Sequence, residues 1–231
     1  MPLRLPRLYP IVDVDICRLR GLDPLALLDA FLAGGARFIQ VRDKTTRTGP
    51  LVALAEAAAA RAHAAGAALI VNDRADVAKL AHADGVHVGQ DDLSVDEVRL
   101  VLGDEAIVGL STHDEAQIDR ASATSASYIA VGPIYGTSTK DTGYTARGLD
   151  LVRYAVARGT SESGDDTARP IVAIGGVTLA RAPDVLAAGA ASVAIISDLL
   201  TADPAARVRA FLAATDRGPI TRPPAPRPRN V

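Results

Sequence analysis

Five charged side chains stand where short apolar runs of the sequence end. Arg42 and Lys44 lie in the segment QVRDK, Asp73 in VNDR, Asp92 in GVHVGQDD and Lys140 in VGPIYGTSTK. Cations neutralise phosphate oxygens, and carboxylates beside a phosphate are useful chiefly when a hard divalent cation bridges the two. If the fold brings these side chains together, the chemistry they predict is binding of a diphosphate with Mg²⁺.

A glycine pair suggests a second place for a phosphate. Gly175 and Gly176 end the run PIVAI, and glycine leaves backbone N–H groups open to an approaching anion. Taken singly, each feature has an ordinary alternative: Asp73 or Asp92 could cap the helix that follows, and the glycines could form a simple turn. Their convergence on one edge of the fold would favour a site for two phosphate-bearing ligands.

The pattern of apolar residues indicates which elements position these side chains. Short β-branched runs alternate with longer Ala- and Leu-rich stretches of helical period, as in repeated βα units. The predicted strands are 8–14, 37–43, 67–73, 85–89, 106–112, 128–134, 170–176 and 192–197. Eight such units predict a single-domain (β/α)₈ TIM barrel with its chemistry at the carboxyl ends of the strands. An open, doubly wound sheet remains the alternative.

Composition limits the partners and the organisation of the chain. The net charge is −2, the one cysteine is Cys17, and the 231 residues predict one catalytic domain over 1–215. Residues 158–169 are polar and predict a loop, and residues 216–231 are rich in proline and arginine and predict a disordered tail. We expect small-molecule substrates, no nucleic acid, no membrane and a cytoplasmic location, whereas the sequence leaves the oligomeric state open.

In these motifs the chain resembles the thiamine-phosphate synthase family, from about residue 8 to residue 213. The segments that carry the resemblance are, in order, QVRDK, VNDRADVAKLAHADGVHVGQDD, VGLSTH, YIAVGPIYGTSTK, PIVAIGGV and VAIIS. The family reaction joins 4-amino-5-hydroxymethyl-2-methylpyrimidine diphosphate to 4-methyl-5-(2-phosphoethyl)thiazole or its carboxylate, and it releases diphosphate. The resemblance therefore implies a transferase of thiamine biosynthesis.

The resemblance also implies a role for each matching residue. Gln40, Arg42, Lys44, Asn72, Ser111 and Lys140 would bind the pyrimidine diphosphate, and Asp73 and Asp92 would hold Mg²⁺ as the cofactor. Thr137, Thr139, Gly176, Ile196 and Ser197 would bind the thiazole phosphate. By the same resemblance, Arg42, Lys44, Lys140 and Ser111 would form the catalytic set. Two alternatives stay open here: a thiazole tautomerase, which would need a positioned acid or base, and a noncatalytic sensor of phosphate ligands.

Overall fold

Eight parallel strands close into a barrel in the computed structural model, which describes residues 3–136, 143–159 and 169–215. Neighbours in the chain are neighbours in the barrel, and β8 pairs with β1. The strands are β1 Leu8–Asp13, β2 Phe38–Arg42, β3 Ala68–Asn72, β4 Gly85–Val88, β5 Ile107–Thr112, β6 Tyr128–Val131, β7 Ile171–Ile174 and β8 Ser192–Ile195. The predicted TIM barrel is confirmed, and the open sheet is excluded.

The helices of the described residues surround this barrel. They are α1 Val14–Leu19, α2 Pro24–Ala33, α3 Thr48–Ala64, α4 Ala75–Leu80, α5 Val95–Leu102, α6 Glu115–Ser122, α7 Gly148–Gly159, α8 Ala182–Ala187 and α9 Pro204–Thr215, with a 3₁₀ turn at Ser197–Leu199. The short helix α1 breaks the expected one-to-one alternation, since β1 is followed by two helices. It forms because the Asp13 side chain accepts a hydrogen bond from the backbone N–H of Ile16 and so caps its first turn.

Residues alternate along each strand between the barrel interior and the helical layer. The interior is filled by Tyr9, Ile11, Phe38, Ile70, Tyr128, Ala130, Val172 and Ala194. The intervening residues, such as Ile39 and Val41 on β2, pack against the helices. This period of two directs Gln40, Asn72, His87 and Ser111 inward.

The ends of the elements differ slightly from the predictions. Every predicted strand is found, and each predicted range overruns the observed strand by one to three residues at one or both ends. Helix α7 includes Arg158 and Gly159, so the start of the predicted loop 158–169 is helical. The rest of that loop up to residue 168, and the tail 216–231, lie outside the described residues. Within the described ranges, no helix is both long and apolar enough to span a bilayer.

Candidate active site

Two adjoining pockets open at the carboxyl ends of the strands. The first, which we call the apolar pocket, has a volume of about 240 Å³ and reaches down to Tyr9 and Ile11 in the barrel. The second, the charged pocket, has a similar volume of about 240 Å³ and is lined by Lys44, Asp73, Asp91 and Asp92 among others. Four residues line both: Asn72, His87, Ser111 and His113. A molecule with a ring and a charged group could therefore occupy both pockets at once.

The charged pocket is organised around Asp73. Its carboxylate forms an ion pair with the Lys44 ammonium, and the carboxyl of Asp92 lies beside it. Burial raises the pKa of Asp73, Lys44 opposes this, and the Asp92 carboxyl raises the pKa further. The side chain does not cap α4, and its backbone has the uncommon φ of 62°. The alternative that Asp73 simply caps the following helix is therefore wrong.

Asp91 and Asp92 lie in a turn rather than on an extended strand, because β4 ends at Val88. The turn is closed by the Asp92 carboxylate, which accepts a hydrogen bond of 2.8 Å from the backbone N–H of Gly89. An extended chain would turn Asp91 away from Asp92, but Asp91 also lines the charged pocket. Helix α5 is capped by Ser94 and not by Asp92, so the carboxylate at 92 is available to the pocket.

The carboxylate pair fits a hard cation. Two close carboxylates disfavour each other's ionised form, and a divalent ion would remove that cost. The described residues contain no group of three or more His, Cys, Asp or Glu placed to hold a metal. Such a site would therefore be completed by phosphate oxygens and water, as Mg²⁺ sites commonly are.

The apolar pocket has both apolar and polar lining residues. Its apolar lining includes Ile11, Ala130, Val172, Ile174 and the predicted ligand Ile196, and its polar lining includes the predicted ligands Gln40, Asn72, Ser111, Gly176 and Ser197. The amide nitrogen of Asn72 is buried and lacks a hydrogen-bond partner among the described residues. A buried donor without a partner is costly, so this nitrogen marks a place where a ligand acceptor would be stabilised.

The glycine pair has a packing role as well as an open backbone. Gly175 and Gly176 have φ of 96° and 62°, a backbone conformation that residues with a side chain rarely adopt. A Cβ at Gly176 would lie 2.5 Å from the carbonyl oxygen of Gly136, and one at Gly175 would lie 2.6 Å from the Cα of Pro133. The pair therefore lets the loops after β6 and β7 approach closely while both glycines line the pocket.

Arg42 lies beside the pockets and lines neither of them. It is the register partner of Asp13 on β1, and its guanidinium donates from Nη1 to the Asp13 carboxylate. The two side chains are 15% and 3% exposed, so this ion pair is largely shielded from water. Its assignment to the diphosphate remains a prediction, and Asp13 is a residue that the sequence did not single out.

The structure adds other residues that sequence reasoning missed. Tyr9, His87 and Tyr128 form hydrogen bonds at the floor of the apolar pocket, and His113 lines both pockets. The Nδ1 atom of His113 lies 2.6 Å from the carbonyl oxygen of Gly132, and its ring stacks on Tyr144 with centroids 4.2 Å apart. The spacing of the histidines in the sequence matches no metal-ligand motif, so it gives no signal for these positions. The alternation of β4 would have shown that His87 points inward.

The predicted site residues thus fall into three groups. The structure brings together Gln40, Lys44, Asn72, Asp73, Asp92, Ser111, Gly176, Ile196 and Ser197 around the two pockets. It places Arg42 at their side, paired with Asp13. Thr137, Thr139 and Lys140 lie outside the described residues.

Comparison with known proteins identifies related chains. A family model described as thiamine monophosphate synthase matches residues 8–199. The thiamine-phosphate synthase of Koribacter versatilis (strain Ellin345) is 43% identical over 215 residues, which is 91% of this chain and 96% of that protein. The thiamine-phosphate synthase of Mycobacterium tuberculosis (strain ATCC 25177 / H37Ra) is 44% identical over 206 residues, covering 85% of this chain and 88% of its own.

A solved structure supports the fold. The thiamine phosphate pyrophosphorylase from Pyrococcus furiosus superimposes with a TM-score of 0.78 at 23% identity, over 91% of this chain and 96% of that one. At 23% identity this likeness supports the fold alone. The comparison of activity rests on the thiamine-phosphate synthases named above.

Proposed function

Because the chain belongs to the thiamine monophosphate synthase family and is a transferase of thiamine biosynthesis, we propose that its two pockets bind the two substrates of this synthesis. The names of the relatives favour a synthase over the tautomerase and the sensor. The observation that carries the proposal is the Asp73–Asp92 carboxylate pair, set opposite Lys44 in a pocket that shares a wall with an apolar cavity.

The charged pocket is proposed to hold the diphosphate of the aminopyrimidine. Asp73 and Asp92 would bind Mg²⁺, which when bound would neutralise charge on the diphosphate. Lys44 would then exchange its ion pair with Asp73 for contacts to phosphate oxygens. Arg42, at the end of β2, and Lys140 are proposed to add positive charge.

The apolar pocket is proposed to hold the two rings. Gln40, Asn72 and Ser111 would bind the pyrimidine, with the buried Asn72 amide nitrogen gaining an acceptor. Gly176, Ile196 and Ser197, with Thr137 and Thr139, would bind the thiazole phosphate. Holding the two rings side by side removes most of the entropic cost of their encounter.

The proposed reaction separates bond breaking from bond making. The C–O bond to the diphosphate breaks first, its electron pair leaves with the diphosphate, and the cationic side chains stabilise the charge that develops there. The thiazole nitrogen then donates its lone pair to the pyrimidinylmethyl cation. This nitrogen carries no proton to be removed, so no general base is required for the step.

The test is product formation by the purified full-length protein. With both substrates and Mg²⁺, we expect thiamine phosphate and one equivalent of diphosphate, both detected by mass spectrometry. Asp73→Asn should lower the rate by about 10²-fold or more. Asp76→Asn is the matched control, because Asp76 lies on α4 in an exposed pair with Arg74. No product from the parent protein, or equal rates for the two variants, would contradict the proposal.

A further inference from the structure

A chain of hydrogen bonds at the floor of the apolar pocket connects Gln40 to Ser111 across the barrel. The Gln40 amide nitrogen donates to the Tyr9 hydroxyl at 2.7 Å, and the Tyr9 and Tyr128 hydroxyls lie 3.0 Å apart. The Tyr128 hydroxyl lies 3.0 Å from His87 Nδ1, and His87 Nε2 lies 2.8 Å from Ser111 Oγ. We call Tyr9, Tyr128 and His87 the relay. It links two residues that the proposed function assigns to the pyrimidine.

The barrel makes room for the relay at Gly109. This glycine is the register partner of both His87 on β4 and Tyr128 on β6. A Cβ at Gly109 would lie 2.3 Å from the Tyr128 hydroxyl and 2.5 Å from His87 Nδ1. The rings of His87 and Tyr128 stack with centroids 5.6 Å apart. The contact between Tyr128 and His87 therefore depends on the absence of a side chain at Gly109.

The relay has a direction, because Gln40 donates at one end of it. The Tyr9 hydroxyl contacts the Gln40 amide nitrogen and the Tyr128 hydroxyl. Because Gln40 donates, Tyr128 is the acceptor left for the single hydrogen of the buried Tyr9 hydroxyl, and the Tyr128 hydrogen is then directed to His87 Nδ1. Burial raises the pKa of both tyrosines, which keeps both hydroxyls protonated. With Nδ1 accepting, the proton of the neutral imidazole lies on Nε2 and is donated to Ser111 Oγ. The hydrogen of Ser111 is then free to point into the pockets.

We propose that Tyr9, Tyr128 and His87 are positioning residues that make the Ser111 hydroxyl a hydrogen-bond donor toward the substrate. The matching acceptor would be a ring nitrogen of the aminopyrimidine, so this inference rests on the proposed function. Without the relay, His87 can carry its proton on Nδ1. Ser111 then donates its hydrogen to His87 Nε2 and presents only a lone pair to the substrate.

The tautomer of His87 tests the relay without any substrate. In the free protein with ¹⁵N-labelled histidine, NMR should show the Nε2–H form, with the resonance identified by its loss in His87→Gln. Tyr128→Phe keeps the ring and removes the hydroxyl, so it should shift His87 toward the Nδ1–H form. Tyr154→Phe is the matched control, since its hydroxyl bonds to Asp119 on the outer surface. A Nδ1–H form in the parent, or an unchanged tautomer in Tyr128→Phe, would overturn the relay.

Kinetics test whether the relay acts through Ser111. Tyr128→Phe should raise KM for the pyrimidine diphosphate about tenfold, the value of one hydrogen bond, and change KM for the thiazole phosphate less than about twofold. Ser111→Ala should have a similar effect, and adding Tyr128→Phe to it should change KM by less than about twofold, because the group being positioned is already gone. Independent, multiplying effects would overturn the proposal.

Thermal unfolding of the same variants shows whether a change in KM reflects lost positioning or a loss of the fold. If Tyr128→Phe does not fold, Tyr9→Phe is used instead, because it removes the donor that directs the Tyr128 hydrogen toward His87. It predicts a smaller shift of His87 toward the Nδ1–H form and a smaller rise in KM for the pyrimidine diphosphate, and no change in either would overturn the relay. If the parent protein shows the expected tautomer but makes no product, the result contradicts the proposed function and still supports the relay. A parent that makes product with the opposite tautomer would contradict the relay alone.

Discussion

The buried ion pair between Asp13 and Arg42 gives the sharpest prediction of stability. Asp13 is 3% exposed and Arg42 is 15% exposed, and the same aspartate caps α1 by accepting from the N–H of Ile16 at 3.0 Å. Replacing Asp13 with alanine removes both interactions. The guanidinium then remains largely shielded from water with no countercharge on β1.

The expected loss of stability is the sum of the lost ion pair and the lost helix cap. Removing one partner of a buried pair costs about 3 to 5 kcal/mol, and the side-chain exposure of Arg42 favours the lower end. Losing the helix cap adds about 1 kcal/mol. Asp13→Ala should therefore lower the free energy of unfolding by about 4 kcal/mol, and Asp13→Asn, which can still cap, by about 3 kcal/mol.

Urea unfolding followed by circular dichroism measures these differences. Asp76→Asn serves as the control, because the Arg74–Asp76 pair is 36% and 55% exposed and should contribute less than about 1 kcal/mol. For a chain of this size, a loss of about 3 kcal/mol should lower Tm by roughly 6 to 12 °C. If Asp13→Asn were as stable as Asp76→Asn, the assignment of Asp13 as the partner that stabilises Arg42 would be refuted.

EDTA should abolish synthesis and Mg²⁺ should restore it, and Asp92→Asn should raise the Mg²⁺ concentration needed for half-maximal rate; full activity in chelator would contradict the metal assignment. Lys140→Ala should lower the single-turnover rate by about 10² to 10³-fold, while calorimetry shows unchanged binding of the thiazole phosphate. If the variant turned over as fast as the parent protein, a role of Lys140 at the diphosphate would be excluded. Truncation after Thr215 should leave activity and Tm nearly unchanged, whereas a large loss would show that the tail packs on the barrel. Burial raises the pKa of Tyr9 and Tyr128 above the usual 10.0, so each hydroxyl contributes its full stability below that pH. As the pH rises above 10.0 this stability is lost, by up to about 1.4 kcal/mol per pH unit for each tyrosine. In urea unfolding at alkaline pH, the free energy of unfolding should therefore fall less steeply with pH for Tyr128→Phe than for Tyr154→Phe.

The order of elements was determined by the sequence, because each strand and helix is marked by local periodicity. Eight β-branched runs separated by helical stretches leave few alternatives to a barrel, and the polar residues that end those runs must then meet at one face. Gln40, Asn72 and Ser111 could be placed inside the mouth from alternation alone, and the motifs around Lys44, Asp73 and Asp92 indicated the family.

Only the tertiary structure decided which side chains are partners. The pairing of Asp13 with Arg42 depends on the register between β1 and β2, and the relay from Gln40 to Ser111 passes through residues of five strands. Asp91 and Asp92 face one pocket because the chain turns after Val88, which alternation along a strand does not predict. These contacts join residues far apart in the chain, so no local pattern records them. They arise when closure of the barrel fixes the distances between strands.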